Sequence, residues 1–342
     1  MDAFAIYRLP HTGRCTLVGQ DMMPASFSSL RALNGERGFV IAPFTVSEET
    51  PALLIRPDVV MRCSPDDVET MQDLSCHLDS RNMPLQPASR ENYHDDFCRF
   101  HRTFSATGFQ KLVLARNVDI VHKGSDPMAL FSKACKLYPD AFVTLFSAAQ
   151  CGTWLVATPE VLLARDNDRW CTMALAGTML YSENVPQWSE KNVNEQTYVS
   201  HYINECIEKF SNDIVISQPH TVRAGNLVHL RTDFSFTLAN DDRVGEVLDA
   251  MHPTPAVCGL PKPEAHRFIV ENETCDRDYY SGFSGPIDLN GDTAMFVSLR
   301  CMRILEDRYR MYAGGGILPQ SNEEQEWSET EAKMQAMLSL IE

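Results

Sequence analysis

Two glutamates and a lysine near the end of the chain, Glu326, Glu329 and Lys333, fall at i, i+3 and i+7. On a helix that spacing sets two carboxylates and an ammonium on one face. The stripe continues as Met337 and Leu340, so its charged end points along the core-facing side. Inward carboxylates suit a hard cation such as Mg²⁺, which takes oxygen ligands and leaves positions for an anionic substrate. The same residues also fit a solvated helix on which Glu329 simply pairs with Lys333. Just upstream, a strand ending at Ala313 runs into Gly314, Gly315 and Gly316. Free backbone N–H groups in a turn there can hold a carboxylate. Ser321 with Glu324 supplies a capping box for a helix beginning near Asn322.

Three more positions have chemical potential. Glu195 heads the helical stripe Val199, Tyr202, Cys206 and Phe210, and glutamate is almost never fully buried unpaired. It is either a metal ligand or an exposed first-turn acid favoured by the helix dipole. Lys111 shares a strand face with Val113 and Ala115. It is a snorkelling edge lysine or a desolvated amine able to act as a base. Glu160 precedes Val161, Leu162 and Leu163, so it is either a turn carboxylate in water or a carboxyl made acidic-catalyst-like by apolar neighbours. Familiar signatures are missing. The ten histidines form no HExxH or zinc spacing, and neither a phosphate loop, a GxGxxG turn nor a GxSxG elbow occurs.

The elements that must position these residues read as strands following strands. The alternation over Phe109–Val121 is a strand; further strands are expected over 141–147, 153–157, 160–165 and 169–175. Others fall near 214–222, 226–237, on either side of Asn290-Gly291, over 294–305 and over 308–313. Helices are expected from Ser64 to about Leu78, Asn92 to Ser105, Asp126 to Tyr138 and Trp188 to Phe210, and near 242–250 and 263–273. This order predicts an α+β fold, antiparallel sheets layered with helices packed on their outer faces. Pairing between distant strands ties the ends together, so a single domain spanning 1–342 is expected.

Composition narrows the function classes. Hydrophobic residues make up 44% of the 342, enough for a large core. A formal net charge of −16 argues against nucleic-acid and anionic-membrane partners, and no apolar run is long enough to span a membrane. The eleven cysteines are scattered without a CxxC pair, which predicts reduced thiols in a cytoplasm. The first residues show no signal-peptide pattern.

Taken in order, several segments resemble the chorismate-utilising enzymes, the family that includes anthranilate synthase component I, and within it the isochorismate synthases. They are Lys111-Leu-Val-Leu-Ala-Arg116, Ala157-Thr-Pro-Glu160, Leu175-Ala-Gly-Thr178 and Glu190-Lys-Asn-Val-Asn-Glu195. Val228-His-Leu230, His252-Pro-Thr-Pro-Ala-Val-Cys-Gly259, Ser298-Leu-Arg300, Ala313-Gly-Gly-Gly-Ile317 and Glu326-Trp-Ser-Glu-Thr330 with Lys333 complete the set. The resemblance runs from about residue 95 to 340, leaving residues 1–94 as a shortened, divergent N-terminal part beside a catalytic core over 95–342.

The resemblance implies Mg²⁺-dependent conversion of chorismate to isochorismate, feeding menaquinone or siderophore assembly. Lys111 would be the general base activating water for attack at C2, and Glu160 the general acid for the departing C4 hydroxyl. Glu195 and Glu329 would bind Mg²⁺, with Glu326 close by. Tyr280, Arg300, Lys333 and Gly314 would hold substrate carboxylates. Gly177, Thr178 and His229 would line the pocket, with Ala256 and Val257 shaping it near the ring. The chain departs from the family pattern at Asn192, where many relatives have Asp, and at Val257, where Leu is commoner. Anthranilate and aminodeoxychorismate synthases carry SGAPK where His252–Gly259 stands and use a glutaminase partner, so neither that activity nor that subunit is expected, and a monomer is. Salicylate synthase, which adds pyruvate elimination, is the runner-up reading. A non-catalytic homologue is a third, disfavoured by the presence of both Lys111 and Glu160.

Overall fold

Strand pairing in the computed structural model ties the two ends of the chain into the same sheets. The structure describes all residues except 72–73, 79–82, 106–107, 123, 125, 184–186 and 290. The N-terminal part supplies β1 (Ala3–Arg8), β2 (Cys15–Gln20), β3 (Ala25–Phe27), β4 (Gly38–Ala42), β5 (Ala52–Ile55), β6 (Val59–Cys63) and the short helix α1 (Pro65–Val68). Next come α2 (Arg90–Thr103), β7 (Lys111–Val121), α3 (Pro127–Leu137), β8 (Phe142–Ala148), β9 (Gly152–Thr158), β10 (Val161–Asp166) and β11 (Arg169–Leu180). Helix α4 (Glu190–Ile207) precedes β12 (Ile214–Ile216), β13 (His220–Ala224) and β14 (Leu227–Phe236). The chain ends with α5 (Val244–Met251), β15 (Gly259–Leu260), α6 (Lys262–Asn272), β16 (Phe283–Ile287), β17 (Ala294–Val297), β18 (Cys301–Ile304), β19 (Arg308–Ile317) and α7 (Glu323–Ile341).

These strands form two antiparallel sheets. The first runs β15-β7-β19-β18-β9-β8-β1-β2-β6, and the second β12-β14-β11-β10-β17-β16-β4-β5-β3, with β13 added against β14. Period-two alternation explains why so many strands are apolar throughout. On β1, Ala3, Ala5 and Tyr7 meet Phe39 and Ile41 of β4 between the sheets. The alternate residues Phe4 and Ile6 turn outward to Phe131 of α3 and Met337 of α7. On the far side, Val40 and Leu54 turn outward to a cluster that includes Val199 of α4 and Val247 of α5. The result is helix–sheet–sheet–helix layering, which is the predicted α+β architecture.

Several local expectations need correction. The helix from Ser64 ends at Val68, not near Leu78: its capping box forms, but Val68 is its sole buried side chain. One of the expected strands, 294–305, is two, β17 in the second sheet and β18 in the first. Arg300 lies in the break with φ +46°, the left-handed backbone that lets the chain step between sheets. The expected strand at 214–222 is likewise β12 and β13, both paired with β14. Strands β16 and β17 do flank the expected hairpin, although Asn290 itself lies outside the described residues.

The long β7–β19 ladder is braced at the end away from its glycines. Asp119 of β7 is fully buried between Arg308 and Arg310 of β19, at 3.0 and 2.8 Å. It also accepts from the Gln86 N–H at 2.8 Å. Removing the carboxylate leaves the buried Arg310 without an acidic partner among the described residues and Arg308 with Asp307 alone. Asp119→Ala should therefore cost about 3–5 kcal/mol in denaturant unfolding, and Asp119→Asn, which keeps the hydrogen-bonding oxygen, distinctly less.

Candidate active site

Strand β19 does not end at Ala313. Gly314, Gly315 and Gly316 continue it, opposite Ala115, Leu114 and Val113 of β7. The expected glycine turn is thus a stretch of bare strand, and the missing side chains are what matter. A Cβ on Gly316 would overlap the Glu195 carboxylate and come within 2.9 Å of Lys111 Cε. One on Gly315 would lie 3.3 Å from Glu326 Oε2 and 3.9 Å from Glu329 Oε1. The glycines therefore leave room for three glutamates brought by two helices.

Each glutamate meets a lysine. Lys111 is fully buried at the start of β7, and its Nζ lies 2.9 Å from Glu195 Oε1 of α4. Glu326 is buried and bonded to Lys191, while its Oε2 has no partner. Lys333 pairs with Glu329 at 2.6 Å and donates to the Gly314 carbonyl at 2.8 Å. On α7 the i,i+4 pair of Glu329 with Lys333 forms, and Glu326 faces inward, so this end of the helix is not a solvated face. Burial pushes the Glu326 carboxyl up despite Lys191, with the neighbouring Glu329 charge adding to the rise. At Glu329 burial pushes the same way, but Lys333, Lys191 and Arg300 outweigh it and hold the carboxyl below its usual range. The helix cap differs from expectation. Asn322, not Ser321, accepts the N–H groups of Glu324 and Gln325, and Ser321 instead accepts from Leu318 N–H.

A second group gathers around Glu160, which follows β9. It is buried, and desolvation pushes its carboxyl up to about 7 even though Arg300, Lys111 and Lys333 pull the other way. On β14, His229 Nε2 faces Arg300 Nη2 at 3.3 Å, and Nδ1 faces Thr178 Oγ1 at 3.2 Å. Guanidinium only donates, so Nε2 accepts and the proton sits on Nδ1. Burial first, then Arg300 and Lys333, hold this imidazole down at about 3, so it is neutral. Gly177 makes a β-bulge in β11 between Ala176 and Thr178, with φ +68° and its missing Cβ facing Asn192 of α4.

These side chains share connected spaces. Glu160, Gly177, Thr178, Glu195, His229, Ala256, Arg300, Gly314 and Lys333 wall one cavity of about 50 Å³. An adjoining space of about 30 Å³ adds Val257 and Tyr280, and shares Arg300, Gly314 and Lys333. Glu326 and Glu329 line a neighbouring cleft of about 370 Å³ that also touches Thr178. Lys111 stands behind the wall formed by Glu195 and Gly316.

The carboxylates also bear on a metal. Among the described residues, no three His, Cys, Asp or Glu side chains are gathered closely enough to form a ready ligand set. The donor chemistry nevertheless fits a hard divalent cation: three carboxylates, one with an orphaned buried oxygen, and cations already drawn to each of them.

Two contributions went unnoticed in the sequence. Lys191 stands four residues before Glu195 on α4, so the helical period already placed its ammonium on the site-facing stripe. The buried pair Glu273–Arg277 clamps the strand that begins at Lys111. Glu273 accepts from the Ala115 N–H at 2.7 Å, and Arg277 donates to the carbonyls of Val113 and Val257 at 2.7 and 2.6 Å. Its i,i+4 spacing is a signal, but equally that of a surface helix pair.

Sequence and fold comparisons agree on the class. The model of the chorismate binding enzyme family matches residues 66–342, and the chain belongs to that family. Among individual relatives, it is 31% identical to isochorismate synthase EntC of Escherichia coli over 242 residues, 68% of this chain and 62% of that one. The match thus spans less than two thirds of that relative's length. The fold is similar to MenF, the menaquinone-specific isochorismate synthase of Escherichia coli, with TM-score 0.80 at 22% identity over 99% of this chain and 89% of that one. It is also similar to anthranilate synthase component I of Streptococcus pneumoniae, with TM-score 0.69 at 18% identity over 96% of this chain and 81% of that one. Coverage of 99% means that the fold likeness extends to the N-terminal part of the chain.

Two outcomes follow from this geometry. Gly316→Ala should displace the Glu195 carboxylate and detach it from Lys111, a change visible in a crystal structure of the variant. Glu160 has its value raised from 4.5 to about 7 by folding. Its contribution to stability is therefore full below about 4.5 and lost as pH rises through about 7. Glu160→Gln should accordingly be more stable than the parent at pH ~8, by up to about 3 kcal/mol, with the gain gone by pH ~4.5 in paired thermal melts.

Proposed function

We propose that this chain converts chorismate to isochorismate. The observation that carries the reading is a single cavity holding a carboxyl that stays partly protonated near neutral pH, with two cations beside it and a buried lysine behind its Glu195 wall. Chorismate is a dianion with a ring hydroxyl that leaves poorly as hydroxide. Arg300 and Lys333 offer the two positive charges its carboxylates need, in a protein whose formal net charge of −16 otherwise repels it. Glu160 gives its proton to the C4 hydroxyl, which departs as water. Lys111, as the free amine, takes a proton from the water that adds at C2, while the ring double bonds shift between the two carbons. General acid–base assistance of this kind is worth typically 10²–10⁴-fold.

Mg²⁺ belongs to the proposal. Glu195, Glu326 and Glu329 would hold it, and it would neutralise substrate carboxylate charge. Held there, the cation would compensate the charge of Glu195, Glu326 and Glu329, which Lys111, Lys191 and Lys333 otherwise balance. We place the product in menaquinone or siderophore assembly; the relative MenF is named as menaquinone-specific. We further propose a cytoplasmic monomer acting without a glutaminase subunit, with no nucleic-acid or membrane partner. The described helices include none long and apolar enough to cross a membrane.

The test is incubation of purified protein with chorismate and Mg²⁺, followed by chromatography. Isochorismate should be the product, and salicylate or pyruvate would overturn the assignment. Lys111→Ala should lower turnover by at least ~100-fold while the variant keeps its thermal transition; normal activity in that variant would end the base role. A chelator should abolish turnover, and added Mg²⁺ should restore it.

A further inference from the structure

The cavity of about 50 Å³ adjoins two wider spaces: the cleft of about 370 Å³ lined by the acids Glu324, Glu326 and Glu329, which disfavours an anion, and a second one. A cavity of about 810 Å³ lies between the β13–β14 hairpin, α7 and the loop before β8. It shares Pro159, Leu175, His229 and Arg300 with the smaller cavity, so the two meet at the catalytic wall. Its charge is one-sided. The acid on its wall, Asp140, is mostly exposed and faces His11 at 3.2 Å. Of its arginines, Arg231 is held by Asp233 at 2.5 Å. Arg223 differs. It is exposed, its guanidinium lies 3.7 Å above the Tyr181 ring, and its Nε donates to the Gly225 carbonyl at 2.9 Å. No carboxylate pairs with it among the described residues, so these contacts orient the cation without neutralising it.

We propose that this space is the antechamber through which the anionic substrate reaches the site, and that Arg223 is the residue that draws it in. The inference rests on the chorismate reading above. A dianion approaching a protein of net charge −16 meets a repulsive field except where local cations dominate, and low-dielectric walls focus such a field. Arg223 at the mouth and Arg300 at the inner end give two positive stations along one continuous wall. Arg223 is a positioning residue of the approach; it touches no reacting atom.

Charge reversal tests this. At fixed Mg²⁺ and ~10 mM ionic strength, where fields reach about 30 Å, Arg223→Glu should lower kcat/KM for chorismate about fivefold and leave kcat unchanged. Arg223→Gln should fall between. Both losses should vanish near ~1 M salt, where screening shortens the reach to about 3 Å. Arg37→Glu supplies the control, because that exposed arginine lies outside the cavity and alters net charge equally. Matching thermal melts for the variants exclude misfolding as the cause. An Arg223→Glu enzyme with unchanged kcat/KM at low salt overturns the proposal, as does an equal loss in Arg37→Glu. Failure of the parent protein to convert chorismate at all would instead overturn the functional reading beneath it.

Discussion

Negative charge out of water is the constraint on which this molecule is organised. Three glutamates converge beside the bare stretch of β19, and burying even one carboxylate without compensation is prohibitive. Each has acquired its own ammonium: Lys111 for Glu195, Lys191 for Glu326 and Lys333 for Glu329. Such pairs seldom add stability over an apolar core, because desolvation offsets the attraction. Their presence in a well-built core is therefore not explained by stability alone. The unpartnered oxygen on Glu326 marks where that compensation is incomplete.

The layered fold makes this convergence possible. Helix α4 lies on the second sheet, against β11, while α7 lies on the first, against β19. Glu195 and Lys111 therefore come from opposite halves of the sandwich, and their 2.9 Å contact spans the seam. Arg300 occupies the left-handed residue where the chain crosses that seam from β17 to β18. From that position its guanidinium reaches His229. The N-terminal strands contribute at a distance. By pairing with β8 and β16 they complete both sheets, so that the seam has two rigid sides.

Layering and most elements were legible because period-two and period-3.6 patterns survive wherever a face must be apolar. The failures share a cause. The run over 294–305 is continuously strand-like, and nothing local signals that Arg300 turns it into another sheet; only tertiary pairing decides that. The triple glycine reads as a turn by composition, since glycine weakens a strand, yet the β7 ladder and the crowding of Glu195, Lys111 and Glu326 demand an absent side chain there. Lys111 and Glu160 carried no decisive local signal. A lysine on an apolar strand face is ordinarily an edge residue, and the family resemblance singled it out. Its complete burial became visible only with β15 and β19 packed on either side.

The same cations that balance the glutamates also tune the acid. Glu160 sits in a site with Arg300, Lys111 and Lys333, an environment that would ordinarily ionise a carboxyl at every physiological pH. Burial opposes them and wins by a modest margin, leaving the group near 7. A carboxyl buried without those cations would be held too tightly protonated to give its proton up, and one in water would have none to give. Catalytic efficiency is greatest when such a value falls near the working pH. His229 shows the opposite outcome of the same balance: burial and the same cations act in one direction, so the imidazole stays neutral. It can then accept from Arg300 without adding a further positive charge that would pull Glu160 down. A neutral histidine beside a poised carboxyl is thus a consequence of one shared electrostatic environment, in which acids and bases respond with opposite sign to desolvation.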